Sequence, residues 1–155
     1  MPDLQRLRAD HEPAVFAASI SDRGDEFYDQ FTDRHSALLV EQEAGGGAFY
    51  VLVDEDGSVL GRFNLYDIND GTAEIGYRVA QHVAGRGVAT VAVQELCRLA
   101  SARDGLRGLR AATTRENVAS QKVLTNAGFV SVGPADPADL GGRPGTLYQR
   151  DLAAG

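Results

Sequence analysis

The stretch Ala84-Gly85-Arg86-Gly87-Val88-Ala89-Thr90 decides how this chain reads, because it stands between two segments of different periodicity. Before it, Ala73-Glu74-Ile75-Gly76-Tyr77-Arg78-Val79 has the pattern of a strand. After it, Val88, Val91, Ala92, Leu96 and Leu99 share a broad apolar arc, and Thr90, Gln94, Arg98 and Ser101 form a narrow polar stripe, as on a helix packed against a sheet. That helix reaches about Arg103, with Gly105 as its stop signal. A glycine-containing turn from strand to helix can aim several free backbone N–H groups at an anion, and the positive end of the helix dipole favours negative charge there. An isolated Gly-x-Gly also serves as a plain loop whose glycines take positive φ angles. Two specific phosphate-binding readings fail. A P-loop needs Gly-Lys followed by Ser or Thr, which is absent, and a dinucleotide fingerprint needs a third glycine where Thr90 stands and an acid where Leu106-Arg107-Gly108 lies.

Upstream, the spacing predicts an antiparallel meander: a strand over Phe49–Val53, a turn at Asp56-Gly57, a strand over Val59–Ile68, a turn at Asp70-Gly71, and the strand Ala73–Val79. Further back, Leu4, Arg6 and Arg8 set against Gln5, Leu7 and Ala9 give a short strand. Two helices follow, the first around Ala14, Val15, Ala17, Ala18 and Ile20, the second around Phe27, Phe31, Leu38 and Leu39, ended by Gly45-Gly46-Gly47. Downstream come a strand over Leu106–Thr113, a helix with Asn117 as N-cap and Gly128 just past its end, and strands over Phe129–Val132 and Thr146–Leu152. Pro134, Pro137, Gly141, Gly142, Pro144 and Gly145 mark the last connection as a loop. The order β, α, α, β, β, β, α, β, α, β, β describes one α/β domain with a mixed sheet over residues 1–155, a length that buries roughly two thirds of the unfolded surface.

Hydrophobic residues are 43% of the chain and charged residues 24%, as expected of a globular protein. A net charge of −7 argues against a general nucleic-acid binder, which needs clustered Lys and Arg, and mildly favours a cationic partner. The single cysteine, Cys97, permits no intramolecular disulfide and reads as a buried thiol in a helix without an evident base, not as a nucleophile. His11, His35 and His82 have no metal-ligand spacing, so no metal is expected. The first ten residues lack a secretory pattern and no apolar run is long enough to span a bilayer; the expected location is the cytoplasm, away from membranes.

Three ordered blocks between Ala73 and Phe129 carry a resemblance to the GNAT N-acetyltransferases, in particular their RimJ/RimL branch. The family's Arg/Gln-x-x-Gly-x-Gly/Ala motif is matched at Gly87 and Ala89, with Ala84 departing from the first position. Asn117-Val118-Ala119-Ser120, followed by Val123, Leu124, Gly128 and Phe129, resembles the branch's Asn-x-x-Ser and Gly-Phe pattern, and Ala73–Val79 resembles its strand before the cofactor loop. The resemblance implies a single GNAT-like α/β domain: a mixed, mostly antiparallel sheet with splayed central strands and helices on both faces. It implies acetyl-CoA as cosubstrate, with Ile75, Gly76, Tyr77, Arg78 and Val79 flanking pantetheine, Gly85, Arg86, Gly87, Val88, Ala89 and Thr90 at the pyrophosphate, and Asn117 on the cofactor arm.

The implied reaction is direct transfer of acetyl to a primary amine, of a small molecule or a peptide N-terminus, with Glu74 as base, directly or through water. Each assignment has a plainer counterpart: Glu74 as a surface carboxylate, Asn117 as a helix cap, Ser120 as a satisfied first-turn serine. Many family members place a tyrosine where Leu124 stands, so Ser120 takes over as the proton donor or hydrogen-bond partner of the leaving thiolate. Phe27, Tyr28 and Phe31 are the expected acceptor-pocket residues, and family habit implies a homodimer. The competing class is a non-catalytic acyl-CoA-binding regulatory module, to which the missing tyrosine and Ala84 lend weight.

Overall fold

The computed structural model describes residues 3–6, 40, 42, 44–55, 59–79 and 87–152. The described strands are β1 (Asp3–Arg6), β2 (Ala48–Val53), β3 (Val59–Asn69), β4 (Thr72–Val79), β5 (Gly108–Thr114), β6 (Val130–Pro134) and β7 (Gly145–Asp151); the helices are α1 (Val88–Ala102) and α2 (Val118–Asn126). They form one seven-stranded sheet in the order β1-β2-β3-β4-β5-β7-β6. Every pairing is antiparallel except β4 with β5, the two strands joined through α1. This is the mixed, mostly antiparallel sheet the sequence implies. Of the two expected early helices, Val40 and Gln42 are helical and Ala44 N–H bonds the Val40 carbonyl; the rest lies outside the described residues.

The turn between β3 and β4 shows why the meander was legible. Asp70 and Gly71 take φ of 52° and 78°, the left-handed pair that a two-residue hairpin needs, and Asn69 pairs with Thr72 across it. Strand alternation then divides the side chains. Ala48, Tyr50, Leu52, Phe63, Leu65, Ala73 and Ile75 face the helices and join one core with Leu96, Leu109 and Leu124. Phe49 and Val51 point the other way yet are 0% and 1% exposed, so β2 is covered on both faces.

α1 buries Ala92, Val93, Leu96, Cys97, Leu99 and Ala100. The expected arc is therefore rotated: Val91 is 47% exposed, while Val93 and Cys97 lie inside. Burial pushes the Cys97 thiol above its ordinary pKa, against the lowering influence of Arg150, which leaves it protonated and inert. At the far end of α1, Asp104 accepts hydrogen bonds from Arg6 Nη1 (3.1 Å) and Tyr50 OH (2.9 Å), and Arg6 also donates to Tyr50 OH (2.8 Å). The triangle locks β1 and β2 to the helix exit, and burial together with the Asp104 charge pushes Tyr50 up to about 12.

The parallel pairing between β4 and β5 is short. It runs from Thr72 opposite Gly108 to Glu74 opposite Arg110 and then stops, although β4 continues to Val79 and β5 to Thr114. Beyond Glu74, β4 is paired only with β3, and β5 only with β7, so the two central strands splay. The far end of β5 is held by Gly145 of β7, opposite Thr114. A Cβ on Gly145 would collide with the Thr113 carbonyl oxygen and with Leu140 Cδ1. Gly145→Ala is expected to cost about 2 kcal/mol, seen in chemical denaturation, because backbone must move to admit one methyl group; an unchanged midpoint would mean that β7 can shift freely.

Several boundaries differ from the sequence expectation. The strand expected from Leu106 starts at Gly108, because Leu106 still belongs to the turn after α1, its N–H on the Ala100 carbonyl. The strand expected from Phe129 starts at Val130, Phe129 N–H being used to close α2 on the Leu124 carbonyl. The last loop holds a short 3-10 turn, Pro137–Leu140, capped by Asp136, which accepts from Ala138 N–H at 3.0 Å. Among the described residues no helix is long and apolar enough to cross a membrane.

Candidate active site

α1 begins at Gly87, whose φ of 75° places it in the left-handed region. Among the described residues no side chain caps this end, and the first turn has no acid. The amides of Val88, Ala89 and Thr90 therefore stand at the positive end of the dipole with no side-chain oxygen capping them among the described residues. α2 begins differently. Asn117 is its N-cap, and Asn117 Oδ1 accepts from Ser120 N–H at 3.1 Å. The cap reading of Asn117 is thus the observed one, and it fixes the turn that carries Ser120.

Between these two helix starts and β4 lies a cleft of about 500 Å³, lined by Tyr77, Arg78, Val79, Gly87, Ala89, Thr90, Asn117, Ala119, Ser120, Lys122, Val123 and Asn126. A second cavity of about 240 Å³ occupies the splay itself, between Ile75, Gly76 and Tyr77 on β4 and Ala111, Ala112, Thr113 and Thr114 on β5. Tyr77, Asn117 and Ser120 line both, so they form the neck where the larger cleft meets the splay. At that neck the Tyr77 hydroxyl lies 2.9 Å from Ser120 Oγ and 3.5 Å from the Ser120 carbonyl oxygen. The Tyr77 ring is stacked on Phe63, centroids 5.7 Å apart and planes 10° apart.

A chain of net charge −7 thus offers, at this cleft, a helix N-terminus with Arg78 and Lys122 on its wall, a place for a polyanion. The splay offers something else: a slot between two strands whose facing backbone edges are not paired with each other beyond Glu74 and Arg110.

The model of the acetyltransferase (GNAT) domain matches residues 1–130. The chain belongs to the GNAT acetyltransferase family. An uncharacterized N-acetyltransferase, p20 of Bacillus licheniformis, is 33% identical over 93 residues, 59% of this chain, and the match spans only 52% of that relative. Two solved structures share the fold. RimL, a ribosomal L7/L12 α-N-protein acetyltransferase in complex with coenzyme A, superposes with a TM-score of 0.83 at 18% identity, over 99% of this chain and 96% of its own. A mutant form of SpeG, a spermidine N-acetyltransferase from Vibrio cholerae, has a TM-score of 0.78 at 17% identity, over 97% of this chain and 94% of its own.

Of the residues expected at the cofactor, Tyr77, Arg78, Val79, Gly87, Ala89, Thr90 and Asn117 come together on the larger cleft, and Ile75 and Gly76 on the splay. The Val88 side chain packs against the core, and Val88 does not line the larger cleft. Gly85 and Arg86, and the expected acceptor residues Phe27, Tyr28 and Phe31, lie outside the described residues. Glu74 and Ser120 are not side by side. Strand alternation puts Glu74 on the face of β4 opposite to Ile75 and Tyr77, beside Tyr66 across the β3 pairing, and Glu74 lines neither cavity.

Sequence reading missed Ala119, Lys122, Val123 and Asn126. Their spacing i, i+3, i+4, i+7 was the available signal, a single helical face that runs on from Asn117. It also missed the contact between Tyr77 and Ser120.

Proposed function

We propose that this chain, as one domain over its whole length, is an acetyl-CoA-dependent N-acetyltransferase that transfers acetyl directly to a primary amine, the α-amine of a peptide or protein N-terminus in the first instance. The observation that carries the reading is the open β4–β5 pairing beside a helix start with no side-chain cap among the described residues, which gives pantetheine a slot and the pyrophosphate a cradle in one continuous path. In this path the amides of Val88, Ala89 and Thr90 hold the pyrophosphate, residues 75–79 line the arm, and the amide group of Asn117 is available to it while Oδ1 caps the helix. Arg86 adds charge where Ala84 removes a family contact.

The opposed faces of β4 suit the chemistry. The thioester lies at the neck, the amine approaches from the Glu74 face, and sulfur departs on the Ser120 face. An α-amine with pKa near ~8 is neutral in about a tenth of molecules at pH 7, so orientation by the protein contributes most and Glu74 removes the remaining proton, directly or through water. The RimL likeness and the SpeG likeness favour different acceptors, a protein α-amine and a polyamine. The Asn117–Ser120 block favours the first.

Titration with acetyl-CoA followed by thiol release over a panel of N-terminal peptides, spermidine and amino acids tests this. Binding and amine-dependent release support the reading; binding without release supports the acyl-CoA-binding module, which gains from Leu124, a buried side chain without a hydroxyl on the splay wall. Glu74→Gln is expected to lower the rate at pH 7 by about tenfold, with acetyl-CoA affinity unchanged, and the deficit should shrink as pH rises past ~8 and the amine loses its proton unaided. A variant as fast as wild type at every pH would remove Glu74 from the role.

A further inference from the structure

Ser120 alone is a weak answer to the missing tyrosine. An aliphatic hydroxyl in the first turn of a helix has a ready partner in nearby backbone, and once turned that way its hydrogen is spent. Here a second hydroxyl intervenes. Tyr77 reaches from β4 across the neck to Ser120, 2.9 Å from Oγ, and it comes from the strand that carries Glu74, 43 residues earlier in the chain. Its ring is steadied by the stack on Phe63, which lies directly opposite it on β3 and is 0% exposed. The serine is equally fixed, its N–H held by Asn117 and its backbone in α2. Two rigid elements thus hold two hydroxyls together at the junction of the two cavities.

We propose that Tyr77 is a positioning residue for the leaving group: its phenol donates to Ser120 Oγ and so turns the Ser120 hydrogen toward the departing CoA sulfur. A phenol is the stronger acid of the pair and an alkyl hydroxyl the better acceptor, which favours donation from Tyr77 to Ser120 Oγ at 2.9 Å over the longer 3.5 Å approach of the same hydroxyl to the Ser120 carbonyl. Burial pushes the Tyr77 phenol above its ordinary pKa, so the donor stays protonated through the working range of pH. Neither hydroxyl needs to ionise. The amine nitrogen forms the C–N bond and gives up its proton through Glu74. The C–S bond breaks, and the thiolate accepts the Ser120 hydrogen bond, itself reinforced by the Tyr77 bond behind it. Sulfur takes a proton from solvent as CoA leaves. The tyrosine absent at Leu124 is in this way replaced from the strand side of the cleft.

The inference rests on the acetyl-transfer reading, and the experiment separates the two. Wild-type protein without amine-dependent thiol release overturns both. If wild type is active, Tyr77→Phe is expected to lower kcat about tenfold with the KM for acetyl-CoA unchanged, since the ring and its stack remain. Ser120→Ala should cost about the same, and the double variant no more than either alone, because the two act as one unit. The ionisation of bound CoA, followed by thiolate absorbance against pH, should move upward by about one pH unit in Tyr77→Phe, a change that a merely structural role would not produce. Wild-type turnover in Tyr77→Phe, additive losses in the double variant, or an unshifted thiol titration would each overturn it.

Discussion

Thr90→Asp is expected to weaken acetyl-CoA binding by about a hundredfold while leaving the fold as stable as before or slightly more so. The two effects have opposite signs because they come from the same three amides. Thr90 is the third residue of α1, the helix begins at Gly87 with no side-chain cap among the described residues, and its first turn carries no acid. A carboxylate at this position meets the positive end of the helix dipole and stabilises the helix by about 0.3–1 kcal/mol. It also stands where the pyrophosphate is proposed to sit, because Thr90 lines the larger cleft together with Gly87 and Ala89.

Magnitude decides which effect dominates in binding. Two unit charges ~6 Å apart at an effective dielectric of ~20 repel by about 3 kcal/mol, and pyrophosphate carries more than one charge. Water in the open cleft reduces this, yet about 2.7 kcal/mol is enough for a hundredfold. Titration calorimetry with CoA and thermal unfolding of the same samples read the two signs separately. Thr90→Asn supplies the control: nearly the same shape without the charge should retain wild-type affinity within a few-fold. If Thr90→Asp binds CoA as wild type does, the pyrophosphate does not lie at the start of α1 and the proposed path through the cleft is wrong.

The parts of this site that the sequence shows in advance are those set by local backbone chemistry. Asp70-Gly71 announces a hairpin because few residues tolerate two left-handed φ angles in succession, and the observed angles of 52° and 78° are that pair. Asn117 announces a helix start because its side chain can do what the missing previous turn cannot, and it does so at Ser120 N–H. Period-two alternation was also enough to place Glu74 and Tyr77 on opposite faces of β4, although resemblance draws attention to their common strand and not to their parity.

What could not be read depends on long-range placement. The distance between Tyr77 and Ser120 is fixed by how α2 seats on the sheet, which no spacing within either element records. The length of the β4–β5 pairing, only three residues, is likewise a matter of how two strands distant in sequence diverge, since β5 stays paired with β7 from Gly108 to Thr114 throughout. Even within a helix the apolar arc misled: Val91 shares an apolar type with Val93, but only Val93 meets the sheet. The 3-10 turn at Pro137 had a local signal, Asp followed by Pro at a helix start, that was hidden among the surrounding prolines and glycines.

Phe63→Ala is expected to remove about 3–5 kcal/mol of stability, lowering the midpoint of thermal unfolding by roughly 10 °C in a chain of this size. Phe63 sits at the centre of the sheet, 0% exposed, paired with Tyr50 on β2 and with Tyr77 on β4, so the space it leaves is bounded by strands that cannot close in. The site depends on the same ring. Tyr77 keeps its hydroxyl at Ser120 partly because its own ring lies flat on Phe63, and such a pair contributes about 0.5–1.5 kcal/mol beyond the burial of its area. Phe63→Leu separates the two contributions: it refills most of the space and should recover most of the midpoint, yet it offers no flat surface for Tyr77. Its kcat should then fall toward that of Tyr77→Phe with the KM for acetyl-CoA little changed. Full turnover in Phe63→Leu would show instead that the Ser120 contact and the backbone of β4 hold Tyr77 in place without the stack.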